Sequence, residues 1–251
     1  MVRADPSGTT LRLLQYQAFS NPRGRLEWAR SVVAAKIRSQ QAAARHYQRH
    51  GWSEAGSLLP LLQEALRQGQ AADALDQLRG IEGAATAAWF GLLGRLVRAP
   101  WQFRQRTRRP PTDPVNALLS LGYTWLLTRA TARCEAVGLE VYLGGLHDFR
   151  PGRPSLACDL IEPLRVPAVD RWMLTLCNQG RVAPADFRAE GGGIRLQPGA
   201  FGRILRDWEE HWQTGGLERA LEKLLAELLR LVRQWPGPAA SPSQMRDGTD
   251  L

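Results

Sequence analysis

The chain has 251 residues, of which 44 % are apolar and 23 % are charged, and its formal net charge is +9. This balance is typical of a globular protein and excludes disordered and collagen-like chains. A chain of this length buries roughly 70–75 % of its unfolded surface, so it can form a core without disulfides. Its three cysteines are widely spaced and form no CxxC pair, which argues against a zinc module and favours a reducing, cytoplasmic location.

The sequence also argues against a membrane protein. The first residues contain no apolar stretch typical of a secretory signal. The longest uncharged apolar run, residues 114–128, is shorter than the roughly 20 residues that cross a bilayer. We therefore expect no membrane partner.

The positive charge comes almost entirely from arginine, because Lys36 and Lys223 are the only lysines. Arginine binds phosphate through two parallel hydrogen bonds, which makes nucleic acid a plausible partner. The alternative is a genome composition that replaces lysine by arginine throughout.

Apolar residues three and four apart predict helices over most of the chain. The first runs from Pro22 to about His50, with Asn21 near its N-cap and Gly51 ending it. Gly80 is expected to separate two further helices, and Asp113 followed by Pro114 predicts another helix start. The helices expected after the first cover residues 57–68, 71–78, 81–96, 114–137, 155–164, 167–176, 202–212 and 216–235.

One β-hairpin is expected, in which residues 194–198 pair with residues 186–188 across a run of three glycines. Residues 236–251 are rich in Pro, Ser, Gly and Asp, which predicts a disordered tail. The fold class is therefore mainly α, with residues 1–20 as a linker, 21–235 as a helical domain and 236–251 as the tail.

Glu82 begins an apolar stretch that carries no further charge up to Gly94. One interpretation is that this carboxylate complements the positive end of a helix that starts at Ile81. The other is that it enters a buried helix and needs a partner, because an unpaired buried charge is costly.

Asp159 and Glu162 are three residues apart, and helical spacing places both carboxylates on one face. Two like charges this close repel unless a cation or hydrogen bonds neutralise them. A metal ion would do so, and an ion pair with Arg165 or Arg153 is the alternative.

The histidines differ in setting. His147 follows two glycines in a loop, where a lone histidine is more often a surface or hydrogen-bonded residue than a ligand. His46 and His50 have the i, i+4 spacing of metal ligands, yet their basic surroundings favour a role as cations at a helix C-terminus. We expect His211 on the surface.

A basic, proline-rich segment, residues 104–114, precedes one predicted helix. Its four arginines are either a clamp for a DNA backbone or part of a solvated loop. They are Arg104, Arg106, Arg108 and Arg109.

Four stretches, at residues 80–85, 109–123, 144–147 and 155–165, together resemble the CRISPR-associated endonuclease/integrase family, the adaptation protein that inserts spacers into CRISPR arrays. The resemblance covers about residues 11–235 in the same order. It implies that Glu82, His147 and Glu162 bind one divalent metal, Mn²⁺ or Mg²⁺, with Asp159 as a neighbouring catalytic acid.

The resemblance further implies a role in antiviral defence, with double-stranded and branched DNA as substrate. A homodimer and a complex with the small ferredoxin-like CRISPR adaptation subunit are the expected assemblies. The expected DNA contacts are Arg108, Arg109, Arg150, Arg153 and Arg165.

Among the tryptophans, Trp28, Trp101 and Trp208 are candidates for stacking on bases, with packing in the core as the alternative.

The family's N-terminal β-rich domain, of roughly the size of a small domain, has no counterpart in this sequence. The expected explanations are a truncated chain, a wrongly assigned start, or a β domain supplied by a separate polypeptide. The implied reaction is a metal-dependent transesterification, in which a 3′-hydroxyl attacks a DNA phosphate. A catalytically silent, helical DNA-binding or scaffold subunit is the alternative.

Overall fold

A computed structural model describes residues 7–235. The disordered tail expected at residues 236–251 lies outside the described residues. The α-helices of the described part are α1 (Ser7–Ser20), α2 (Pro22–Arg49), α3 (Leu59–Ala71), α4 (Leu75–Leu96), α5 (Pro114–Ala136), α6 (Ser155–Ile161), α7 (Arg171–Asn178), α8 (Pro198–Thr214) and α9 (Leu217–Gln234).

The mainly α class is confirmed, and so is the hairpin. Strands β1 (Phe187–Glu190) and β2 (Gly193–Leu196) pair antiparallel, with Phe187 opposite Leu196. Gly191 and Gly192 form the two-residue turn with φ of +59° and +76°, a conformation that other residues rarely adopt. The sheet of the described part therefore consists of this one hairpin.

Two predicted helix starts are confirmed by their caps. The Asn21 side chain accepts a hydrogen bond from the backbone N–H of Arg23 at 2.9 Å. The Asp113 carboxylate accepts one from Asn116 at 2.8 Å, and Pro114 occupies the first helical position.

The predicted break at Gly80 is wrong, because α4 runs through it without interruption. A glycine inside a helix costs about 1 kcal/mol relative to alanine. Burial of Leu78, Ala85 and Trp89 on the inner face of α4 outweighs that cost. The buried helix that Glu82 was expected to enter is buried on one face only, since Gly83 and Ala84 are exposed.

The chain from Ser155 to Asn178 is helical without a gap, although two separate helices were predicted there. A 3-10 turn (Glu162–Leu164) and a π-helical turn (Arg165–Asp170) join α6 to α7. π-helical turns that interrupt regular helices are often found at functional sites. Here the two irregular turns contain both Glu162 and Arg165.

Helix α2 is the centre of the packing. It contacts α3, α4, α6 and the irregular turns at residues 162–170. Its buried stripe includes Trp28, Val32, Ile37 and one lysine, Lys36. Elements that are distant in sequence therefore meet along a single helix face. No helix of the described part is long and apolar enough to span a bilayer.

Candidate functional site

The three candidate metal ligands line one cleft with a volume of about 820 Å³. Glu82 comes from α4, His147 from the loop before α6, and Glu162 from the 3-10 turn that follows α6. The cleft also contains arginines from two loops and from the π-helical turn, namely Arg106, Arg108, Arg109, Arg150, Arg153 and Arg165. Acidic, imidazole and guanidinium groups thus face the same space.

Lys36 joins two of these candidate ligands. Its ammonium donates to Glu82 Oε1 and, at 2.5 Å, to Glu162 Oε2. The Lys36 side chain is only 3 % exposed, against 23 % for Glu82 and 7 % for Glu162. The buried ammonium is therefore the cation that the two carboxylates share.

Glu82 lies in the interior of α4, two turns after its start at Leu75. The interpretation of Glu82 as a partner for the helix N-terminus is therefore wrong, because the helix begins earlier than expected. Besides Lys36, the Thr86 hydroxyl donates to Glu82 Oε1 at 2.8 Å. The need for a charge partner, which the sequence indicated, is met by Lys36.

Arg165 binds the other oxygen of Glu162, at 2.9 Å, so the predicted alternative of an ion pair with Arg165 is present. The Arg165 guanidinium also lies over the Tyr123 ring, 4.3 Å from its centroid. Burial by itself would raise the pKa of Glu162, but the positive charges of Arg165 and Lys36 hold it well below its ordinary value. Glu162 is thus an ionised carboxylate inside the protein.

Asp159 is fully buried and points away from this cation. Its Oδ2 accepts hydrogen bonds from Trp28 Nε1 and from the backbone of Gly145 and Leu146. Its Oδ1 accepts from the backbone N–H of His147 and contacts His147 Nδ1 at 2.7 Å.

Of the two predicted ways to neutralise this carboxylate pair, hydrogen bonds serve Asp159, and a cation shared with Glu162 does not. The two carboxylates diverge because Asp159 satisfies five donors from α2 and the His147 loop. A carboxylate bound to one imidazole nitrogen fixes the tautomer and leaves the other nitrogen free as a ligand. Asp159 acts through His147, as a positioning residue.

Two further arginines hold the His147 loop from outside. Arg25 and Arg79 both bind the Asp148 carboxylate, and their hydrogen bonds lower its pKa to about 2. Arg79 also donates to the carbonyl oxygen of Leu146 at 2.7 Å. Gly145 fits tightly, since a Cβ there would lie 2.6 Å from the Trp28 ring. The position of His147 is therefore fixed from several sides.

The five arginines predicted to contact DNA all line the cleft, but they differ in what they already bind. Arg165 is committed to Glu162, and Arg153 donates to the carbonyl oxygen of Asp148. Arg108, Arg109 and Arg150 are exposed and form no ion pair within residues 7–235. These last three are the arginines that can accept a phosphate without losing a partner.

The basic loop before α5 is anchored by a buried amide. Asn116 accepts from Arg106 and from the backbone of Thr107, each at 2.9 Å, and donates to the carbonyl of Gln105. Burial lowers the pKa of Arg106 to about 10. The loop that carries Arg108 is therefore held in place by Asn116 and is not a loose, solvated loop.

The other predicted candidates do not reach the cleft. Trp28, Trp101 and Trp208 are buried in the core, so they are not available for base stacking. His50 Nδ1 contacts the carbonyl oxygen of His46 at the end of α2. Burial and the charge of Arg171 lower the pKa of His46, which opposes the cationic role expected for it. His211 was expected on the surface, but it is half-buried against the carbonyl of Pro167.

The donor set suits a divalent cation, although the side chains do not form a complete ligand shell. Within residues 7–235, no group of three His, Cys, Asp or Glu side chains lies close enough to hold an ion. Glu82 and Glu162 nevertheless already share one cation, the Lys36 ammonium. Carboxylate oxygens with one imidazole nitrogen are a ligand set that Mn²⁺ or Mg²⁺ accepts.

Sequence analysis missed Lys36, Arg25 and Arg79. The signal for Lys36 was available, because it is a lysine on the apolar face of α2. Arg25 and Arg79 had no comparable signal, since the carbonyl oxygens that they bind belong to a loop far away in the sequence.

The comparisons with known proteins agree with one another. The family model described as CRISPR associated protein Cas1 matches residues 2–210. A relative from Rhodospirillum rubrum, CRISPR-associated endonuclease Cas1 2, is 39 % identical over 80 % of this chain and 61 % of its own length. A relative from Thermus thermophilus, CRISPR-associated endonuclease Cas1 3, is 34 % identical over 98 % of this chain and 75 % of its own length.

A solved structure titled as a partial Cas6-RT-Cas1–Cas2 complex has a chain that superposes with a TM-score of 0.82 at 25 % identity. The match covers 91 % of this chain and 72 % of that one. The chain thus spans less than two thirds of the length of its Rhodospirillum relative and about three quarters of the others.

Replacing Asp159 by Asn should lower the free energy of unfolding by about 3 kcal/mol, because a buried amide cannot accept all five hydrogen bonds. Urea unfolding monitored by circular dichroism measures the change. Asp76→Asn is the matched control, since Asp76 is exposed and forms only a surface pair with Arg79. Equal small effects in both variants would contradict the role given to Asp159.

Glu162 should contribute to acid unfolding. The pKa of Glu162 is lower in the folded chain than in the unfolded chain. The ionised Glu162 therefore stabilises the fold fully above the unfolded pKa of about 4.5, and this stabilisation is lost as the pH falls toward the folded pKa. Glu162→Gln should make the fall in unfolding free energy between pH 5 and pH 3 shallower, by up to about 1.4 kcal/mol per pH unit. Parallel curves for the two proteins would contradict this assignment.

Proposed function

The chain belongs to the Cas1 family, and from that premise we propose that it is a metal-dependent DNA endonuclease/integrase. It would join short DNA fragments to a CRISPR array as new spacers, by phosphodiester transesterification. The observation that carries this proposal is the meeting of Glu82, Glu162 and His147 with free arginines in one cleft. The relatives are named as CRISPR-associated endonucleases, which supports the same reaction class.

Glu82, Glu162 and the Nε2 atom of His147 would hold the metal, Mn²⁺ or Mg²⁺. When bound, such an ion supplies Lewis acidity toward a phosphate oxygen and lowers the pKa of a coordinated hydroxyl group. Asp159 holds the imidazole by Nδ1, which leaves Nε2 as the free ring nitrogen. The metal requirement and the ligand set are part of the proposal.

The exposed arginines would bind the DNA backbone beside the ligands. Arg108 and Arg109 lie on one side of the cleft and Arg150 on the loop that follows His147. Guanidinium groups bound to phosphate oxygens hold the reacting phosphorus in place and balance charge that develops on it. Arg165 is already paired with Glu162 and its side chain is only 13 % exposed, so it is less available to DNA than these three.

In the integration reaction, the 3′-hydroxyl of the incoming strand attacks the phosphorus, and one P–O bond forms as another breaks. No external energy source is needed, because the number of phosphodiester bonds is unchanged. Water as the attacking group gives strand cleavage at the same site. The expected substrates are double-stranded and branched DNA.

The proposal also includes association with a Cas2 partner. The solved complex with the similar fold contains Cas1 together with Cas2 by its title. For this chain we propose association with the small ferredoxin-like CRISPR adaptation subunit. The proposal also includes a homodimer, a cytoplasmic location, and a division of the chain into linker, catalytic domain and tail. The tail assignment concerns residues outside the described part.

One observation favours a second candidate, a catalytically silent DNA-binding or scaffold subunit. Lys36 neutralises Glu82 and Glu162, as a site that holds no metal would require. The two candidates differ in activity and agree in DNA binding. A test of His147 separates them.

His147→Ala should lower the rate of Mn²⁺-dependent cleavage or joining of branched DNA by 100-fold or more. This corresponds to an increase on the order of 3 kcal/mol in the activation free energy. The variant should still fold, with a loss of about 1–3 kcal/mol from the hydrogen bond to Asp159, and its DNA affinity should change little. The measurement is the single-turnover rate on a labelled branched duplex. His50→Ala, an exposed histidine at the end of α2, is the matched control and should keep full activity.

The scaffold candidate has its own signature in that assay. A wild-type chain that binds DNA but neither cleaves nor joins it in Mn²⁺ would favour the scaffold. Equal activity of the wild type and His147→Ala would remove His147 from the site.

The affinity for DNA should fall steeply with salt and depend little on sequence, because phosphate contacts release counterions. Arg150→Gln should weaken binding and reduce the slope of log affinity against log salt by about 1. Arg230→Gln is the control, since Arg230 is exposed on α9 and does not line the cleft. Fluorescence anisotropy with a short duplex at rising NaCl measures both slopes, and identical slopes would contradict phosphate binding by Arg150.

A further inference from the structure

Lys36 is unusual among the basic residues of this chain. It is one of two lysines in a protein whose other cationic side chains are arginines, and it is almost completely buried, whereas Lys223 is exposed. Its ammonium reaches carboxylates from two separate elements, α4 and the 3-10 turn after α6. A buried ammonium is costly unless its donors are all used.

The charges around Lys36 balance without a metal. Glu82 and Glu162 supply two negative charges, and Lys36 and Arg165 supply two positive ones. A divalent cation on the same carboxylates would leave an excess of two positive charges at a largely buried position. The ammonium and the metal therefore compete for the same two carboxylates, because like charges this close together repel strongly.

On the premise of the metal-dependent function proposed above, we infer that Lys36 is a built-in placeholder for the metal. In the metal-free chain it holds Glu82 and Glu162 together, and it gives up their oxygens when a divalent cation binds. Lys36 is thus a positioning residue whose effect on metal affinity is negative. It sets the metal concentration at which the site is filled.

A further buried carboxylate, Asp170, lies at the end of the π-helical turn, within the electrostatic reach of Lys36. Asp170 is fully buried, accepts from Trp89 Nε1 at 2.7 Å and from the Tyr123 hydroxyl, and forms no ion pair within residues 7–235. Burial raises its pKa, and the charges of Arg165 and Lys36 act against that rise.

The first test is Mn²⁺ binding to the metal-free chain, measured by calorimetry or by the loss of the free-ion spin-resonance signal. Lys36→Met removes the charge and keeps an unbranched apolar side chain. It should bind Mn²⁺ at least about tenfold more tightly than the wild type, because no competing state has to be displaced. Lys223→Met removes one exposed lysine and should leave the affinity unchanged.

Stability gives a second readout on the same variants. Without metal, Lys36→Met should have a lower melting temperature than the wild type, because Glu82 and Glu162 lose the cation between them. Saturating Mn²⁺ should raise its melting temperature by more than it raises that of the wild type.

The unmodified chain offers a test that does not depend on the folding of a variant. Labelling with ¹⁵N-lysine gives two side-chain ammonium signals, one for each lysine. Mg²⁺, which is diamagnetic, should shift or remove the Lys36 signal and leave the Lys223 signal in place.

The outcomes are distinct. If the wild type binds Mn²⁺, Lys36→Met binds it no more tightly and the Lys36 signal ignores Mg²⁺, the placeholder role is overturned while the proposed function stands. If neither the wild type nor Lys36→Met binds Mn²⁺, the metal-dependent function fails and the placeholder role fails with it. Tighter binding by Lys36→Met, with a Lys36 signal that responds to Mg²⁺, supports both.

Discussion

The arrangement of the cleft depends on one buried ammonium that two carboxylates share. Lys36 is carried by the central helix α2, and its partners come from α4 and from the turn after α6. Loss of one partner from a buried ion pair costs about 3–5 kcal/mol, because the remaining charge is left without compensation. The packing of three elements and the spacing of Glu82 and Glu162 are therefore determined by the same contact.

The elements with strong local signals could be predicted from the sequence. Asn21 and Asp113 have side chains that cap a helix by themselves, and Gly191 and Gly192 specify a tight hairpin turn. The break at Gly80 was predicted wrongly for a related reason. The local cost of glycine is real, but burial along α4 is a tertiary effect that a short window does not contain.

The site was predictable as a set of chemical groups and not as a set of contacts. Glu82 was expected to need a partner, and Glu162 a cation, and both needs are met. The identity of that cation depends on how α2 crosses α4, which no spacing within either helix reveals. Asp159 shows the same limit, because its partner loop and Trp28 lie 12 to 131 residues away along the chain. Helical spacing placed it beside Glu162, whereas hydrogen bonding turned it away.

The five donors on Asp159 have a consequence for motion. The amide hydrogens of Gly145, Leu146 and His147 all point into one buried carboxylate, which is itself tied to α2 through Trp28. Opening this loop to solvent requires the carboxylate to lose most of its partners at once. These three amide hydrogens should therefore exchange with solvent as slowly as those of the core helices, although they belong to a loop. The loop that carries His147 is, in this respect, part of the core.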